Sequence, residues 1–177
     1  MALFSIRRHA AVKAALGLVL CAGLVGSTSS AVAAKPNPEL KRVKAATARF
    51  HSVKQAQEAG YLAPPVCVSS PAGGMGYHFQ NRALMNDGVL DPERPEILLY
   101  ERAANGRYKL TGVEYYLPAS QPPAAPVPAP VLFGQTFQGP MPAHDPGMQV
   151  HYDLHAWLWK HNPSGMFAQW NPDVSCP

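Results

Sequence analysis

Cysteine is scarce in this 177-residue chain, with three in all, at positions 21, 67 and 176. No C-x-x-C pair occurs, which argues against a dithiol redox motif or a thiolate metal clip. There is no G-x-S-x-G elbow for a serine nucleophile and no H-E-x-x-H metal signature. The glycine run Gly73-Gly74-Met75-Gly76 precedes a strand pattern, so it lacks the helix terminus that phosphate cradles use. No apolar stretch approaches the roughly 20 residues of a membrane-spanning helix. No internal repeat is visible.

What is present first is a targeting pattern. Arg7, Arg8 and Lys13 precede an apolar stretch from Ala14 to Gly26, and Ala31-Val32-Ala33-Ala34 supplies small residues for cleavage. That order of charge, apolar core and small residues predicts a cleaved signal peptide over 1–34 and a periplasmic or secreted protein with no stable membrane anchor. Cys21 falls inside the segment, and the bulky Leu20 before it argues against a lipoprotein cut. Removing 34 residues leaves 143, a size for one globular domain over 35–177. It also removes three of the 15 basic residues and none of the 11 acids, so 12 bases face 11 acids. A near-neutral domain gives no support to nucleic-acid binding.

Cys67 and Cys176 then remain as an even pair, and in an oxidising compartment they predict a disulfide. Closing so long a loop is worth about 4 kcal/mol on chain entropy.

Asn37-Pro38-Glu39 reads as a helix start, with an N-cap, a proline at the first helical position and an acid in the first turn. Leu40, Val43, Ala46, Phe50, Val53 and Ala56 recur at spacings of three and four, which predicts an amphipathic helix running to Gly60. Lys41, Arg42, Lys44, Arg49 and Lys54 lie mostly off that stripe. Beyond Pro64-Pro65 the pattern changes to strands at 75–81, 96–102, 108–117, 131–137 and 150–160. Asn105-Gly106 marks a hairpin turn between the second and third. Residues 118–130 carry six prolines and read as an extended excursion outside any sheet. Residues 139–147 form a second proline-punctuated loop. The sum is an α+β domain: an N-terminal helix packed on a curved antiparallel sheet of about five strands, a cystatin-like cone or partial barrel.

Alternate strand residues share a face. His78 and Gln80 share one face of their strand. Leu110, Gly112, Glu114 and Tyr116 share another, as do His151, Asp153, His155, Trp157 and Trp159. Two imidazoles and a carboxylate from separate strands are a common set for a divalent transition metal, with a position left for water or substrate. His78, His155 and either Glu114 or Glu101 are the candidate ligands, and Asp153 is a candidate orienter beside them. His151 and His155 lie about 13 Å apart if the segment is a strand, too far to share one ion. On a helix they would be well placed to do so.

Gly74-Met75-Gly76-Tyr77-His78, the run from Asp91 to Glu101, Gly112-Val113-Glu114-Tyr115-Tyr116 and the tail from His155 to Phe167 carry a further signal. Together they resemble a functionally uncharacterised family of small exported bacterial proteins. The motifs are G-M-G-x-H and H-x-W-x-W-x-x-N-P-x-G-x-F. The resemblance implies export and one domain, and assigns no activity.

Three function classes stay open. One is a metal-binding protein or metal-dependent enzyme built on His78, His155 and an acid. Another is a metal-free module that holds a small organic ligand against Tyr116, Trp157 and Trp159. The third is an interaction protein that uses the basic helix or the proline-rich loop.

Overall fold

The computed structural model describes residues 37–63, 66–119 and 128–177, all within one compact unit, Lys35–Pro177. The expected signal peptide at 1–34 and residues 120–127 of the proline-rich stretch lie outside the described residues. Among the described residues, no helix is long and apolar enough to cross a membrane.

The N-terminal helix starts as its sequence dictates. The Asn37 side chain accepts from the Glu39 N–H at 2.9 Å, and Pro38 opens α1 (Pro38–Thr47). The expected single helix is broken. A 3₁₀ turn (Ala48–His51) follows, then α2 (Val53–Glu58). Ser52 is extended and its hydroxyl caps Gln55, so a serine in mid-stripe served as a second N-cap. The break turns Phe50 into the core, where its carbonyl accepts the Tyr100 hydroxyl at 2.6 Å.

The sheet is a six-stranded, antiparallel, curled half-barrel, so the α+β reading holds. Its strands are β1 (Val68–Ser70), β2 (Gly73–Gln80), β3 (Ile97–Arg102), β4 (Tyr108–Pro118), β7 (Gln138–Met141) and β8 (His151–Ala156). They run in the order β1-β2-β3-β4-β8-β7. A short helix, α3 (Arg82–Met85), follows β2. The turn at Asn105-Gly106 joins β3 to β4, with Gly106 at positive φ.

Three strand expectations need correction. Residues 131–137 form a separate two-stranded ribbon, β5 (Val131–Leu132) and β6 (Gln135–Thr136). Phe133-Gly134 turns the chain there, both at positive φ. The start of the proline-punctuated loop expected over 139–147 is instead part of the edge strand β7 (Gln138–Met141), where the missing N–H of Pro140 can be tolerated. β8 ends at Ala156 rather than continuing to residue 160. Beyond it the Trp157 N–H donates to the Met166 carbonyl and the Trp159 N–H to the Thr111 carbonyl.

The two faces of the sheet divide the core. Val43, Phe50 and Ala56 of the helical segment, and Tyr61 just after it, pack with Tyr77, Phe79, Leu98, Tyr100, Val113, Tyr115 and Leu154. The opposite face carries a smaller apolar group: Met85, Ile97, Leu99, Tyr116, Met148, Trp157 and Val174. Leu110 belongs with the first group, not with Glu114 as simple alternation predicts. The ladder steps from Leu99↔Gly112 to Tyr100↔Leu110, so Thr111 is an extra residue that reverses the facing.

Cys67 and Cys176 are bonded, with Cα atoms 5.6 Å apart. The bond pins a tail that lies on the glycine run. Gly74 exchanges backbone hydrogen bonds with Asn171, and a Cβ at Gly74 would meet the Val174 carbonyl at 2.7 Å. Gly76 has φ +90°, and a side chain there would collide with the Tyr100 carbonyl. These glycines bring the tail and β3 close to the strand that carries His78.

Candidate metal centre

On the face away from the helices, antiparallel pairing aligns Gln80, Ile97, Glu114 and His155 across four strands. His78 sits two residues before Gln80 on the same face of β2, paired with Leu99. Asp153 and His151 follow His155 at two-residue steps on β8, opposite Tyr116 and Pro118. Period-two alternation on three strands therefore gathers two acids and three imidazoles under one cover. The cover is the loop after β7, which adds His144 and Asp145, together with α3 and the tail.

These groups are sealed. His78, Glu114, His151 and Asp153 are 0 % exposed and His155 is 1 %. Ionisable side chains at such depth need partners. Yet both ring nitrogens of His78 and His155, and both oxygens of Glu114 and Asp153, lack a hydrogen-bond partner among the described residues. They approach one another instead. His78 Nε2 lies 3.1 Å from Glu114 Oε2, and His155 Nε2 lies 3.6 Å from the same oxygen, neither aligned as a hydrogen bond. One ligand atom from each of His78, Glu114 and His155 lies within 4.8 Å of the others. Donors bound at about 2.0–2.2 Å to a common ion stand roughly 3–3.5 Å apart, and the two contacts to Glu114 Oε2, 3.1 and 3.6 Å, lie close to that range.

Charge within the cluster runs against burial. Burial alone would lower the His78 pKa, but Glu114, Asp145 and Asp153 hold it above 6.5. Burial alone would raise the Glu114 carboxyl, but His78 and His155 hold it down at about 2. Glu114 is therefore a carboxylate at neutral pH, as a metal ligand must be. Burial pushes the Asp145 carboxyl up.

The surrounding side chains orient the rings. Asp145 Oδ2 accepts from Gln80 Nε2 at 3.1 Å and faces His78 Nδ1 at 3.5 Å. A carboxylate behind the far nitrogen of an imidazole leaves Nε2 to the ligand side. Asp153 Oδ1 stands 3.9 Å from His155 Nδ1. Arg82 clamps the covering loop, donating to the Gly147 carbonyl and, at 2.8 Å, to the Pro146 carbonyl.

The structure brings His78, Glu114 and His155 together, with Asp153 beside them. It does not bring Glu101 there. The Glu101 carboxylate takes Lys160 Nζ at 2.7 Å and Lys109 Nζ at 3.6 Å, a paired position at the far end of β3. Of the expected aromatic wall, Tyr116 stacks on His151 with centroids 4.7 Å apart, and Trp157 lies nearly parallel to His155 at 6.4 Å. Trp159 belongs to the other side. His51 packs edge-on against it at 4.4 Å and Lys44 lies over its ring at 4.7 Å. The early end of β8 is the reason, since alternation stops at Ala156.

His144 and Asp145 were missed in the sequence. They sit in a loop with no periodicity, and their one signal was adjacency, an imidazole beside a carboxylate. Several cations of the basic helix find partners inside the chain. Arg42 pairs with Glu93 at 3.2 Å, Lys54 with Glu58 at 3.6 Å, and Arg49 covers Phe50.

Comparison of the chain with protein-family models, with curated proteins and with solved structures found no match.

Proposed function

We propose that this protein binds a divalent transition-metal ion through His78 Nε2, Glu114 and His155 Nε2. The observation that carries the reading is the convergence of these atoms. They come from three strands, one ligand atom of each residue lies within 4.8 Å of the others, and none has a hydrogen-bond partner among the described residues. Leaving so many buried polar atoms unpaired would destabilise the fold by roughly 1–3 kcal/mol each. One bound cation would satisfy the inner ones together.

Two neutral imidazoles and one carboxylate suit zinc, copper, iron or manganese, and leave coordination positions for water or an oxygen-donor ligand. Asp145, anchored by Gln80, orients His78 for that role. Sealed burial favours an ion over an organic molecule, because the candidate aromatics Tyr116 and Trp157 are packed against the histidines rather than lining open space. The protein acts outside the cytoplasm as a domain spanning 35–177, after loss of a signal peptide at 1–34. The Cys67–Cys176 bond supports that placement.

The test is elemental analysis after chelator stripping and reloading. The wild type should retain metal through gel filtration, and His78→Ala and His155→Ala should each lower its affinity at least tenfold. A wild type that retains none of the four metals contradicts the proposal.

A further inference from the structure

The three ligands above leave part of the same face unused. His144, His151, Asp153 and Glu114 form another group whose ligand atoms all lie within 4.8 Å of one another. Glu114 is common to both groups. It has two carboxylate oxygens, both buried and both without a hydrogen-bond partner among the described residues.

His151 is prepared in the way a ligand histidine is. Its Nδ1 lies 2.7 Å from the Gln149 carbonyl, which can only accept, so the ring proton sits on Nδ1. That leaves the Nε2 lone pair pointing into the cluster, buried and unpaired, 3.7 Å from Asp153 Oδ2. Tyr116 stacks on the ring, and its hydroxyl accepts the Gln149 N–H at 2.9 Å, so ring and carbonyl are held as one unit. His144 reaches in from the covering loop, its ring 5.0 Å from His151 and 5.4 Å from His78. Both of its nitrogens are buried and unpaired among the described residues, although the residue as a whole is half-buried.

From this geometry we infer a second cation site, with His144, His151 and Asp153 as ligands and Glu114 as a bridge to the first ion. The inference rests on the metal reading above and extends it to a carboxylate-bridged pair. Such pairs hold their ions about 3.5–4 Å apart and share a water or an anionic oxygen between them. The distance along β8 that keeps His151 and His155 off one ion assigns one of them to each ion. The pair takes hard or borderline divalent cations, since no thiolate is among the ligands.

Copper(II) is the probe, added to the stripped full chain. The account expects two equivalents per chain and an electron paramagnetic resonance signal weakened by coupling between the bridged ions. His144→Ala, at a half-buried loop position, should hold one equivalent and show an uncoupled copper spectrum. His151→Ala should do the same, with folding checked by circular dichroism. One equivalent in the wild type, or two equivalents in His144→Ala, overturns the second site and leaves the first standing. No copper bound at all overturns both.

Discussion

Glu114 on β4 and His155 on β8 are direct cross-strand partners, and their side chains meet with Glu114 Oε2 3.6 Å from His155 Nε2. Register alone produces that meeting. His78 joins from two strands away, over the Ile97 and Leu99 side chains of β3. A one-residue slip in any of these pairings would send a ligand to the helix-covered face.

Asp145→Asn tests the orienting carboxylate. Gln80 can still hold the side chain, but the negative charge behind His78 Nδ1 is lost. Metal affinity should fall roughly 10–100-fold, with thermal stability of the metal-free protein little changed. Competition titration against a chromophoric chelator reads this, and an unchanged affinity removes Asp145 from the site.

Glu96 gives a pH dependence of stability separate from the ligands. It is 1 % exposed, and one of its oxygens accepts the Tyr116 N–H at 3.0 Å. Burial pushes its carboxyl from 4.5 to about 8, against the pull of that hydrogen bond. Between those values the folded chain holds a proton that the unfolded chain has released. Its contribution to stability is therefore full below pH 4.5 and falls, by on the order of a few kcal/mol, as pH rises toward 8. Glu96→Gln should lose this slope. Urea titrations of both metal-free proteins at pH 5 and pH 8 give the comparison, and parallel slopes contradict it.

The disulfide closes 109 residues and ties the tail to the strand before the glycine run. Reduction, or Cys176→Ser, should lower unfolding free energy by about 2–5 kcal/mol. Equal denaturation midpoints with and without reductant would show that the tail is held by Asn171 and Val174 alone.

Gly76→Ala should destabilise the fold by more than about 1 kcal/mol, since the backbone there has φ +90° and the new methyl would meet the Tyr100 carbonyl. Gly88→Ala is the comparison. It shares the positive φ, but its Cβ would meet nothing within 4 Å among the described residues. A similar loss in both variants would mean that conformation, not close approach, sets the requirement at Gly76.

Much of this centre was readable from the sequence because strands write their faces in steps of two. His78, Glu114, Asp153 and His155 each lay on a recognisable strand, and their shared face followed once antiparallel pairing was assumed. Glu101 lay on such a strand too, and alternation could not show that Lys160 and Lys109 hold it elsewhere. Trp159 was misassigned because nothing local reveals where a ladder stops. His144 and Asp145 offered only their adjacency, because a loop has no period, and its position depends on the Arg82 clamp and on β7. The helix stripe was legible as a whole, while Ser52, whose cap divides it, interrupts no apolar position of the stripe.

The most direct test is anomalous diffraction from crystals of the metal-loaded protein. A peak about 2.0–2.2 Å from His78 Nε2, a Glu114 carboxylate oxygen and His155 Nε2 is the predicted result. Metal-loaded crystals with no anomalous density among these three side chains, or with density only at surface residues, would contradict it.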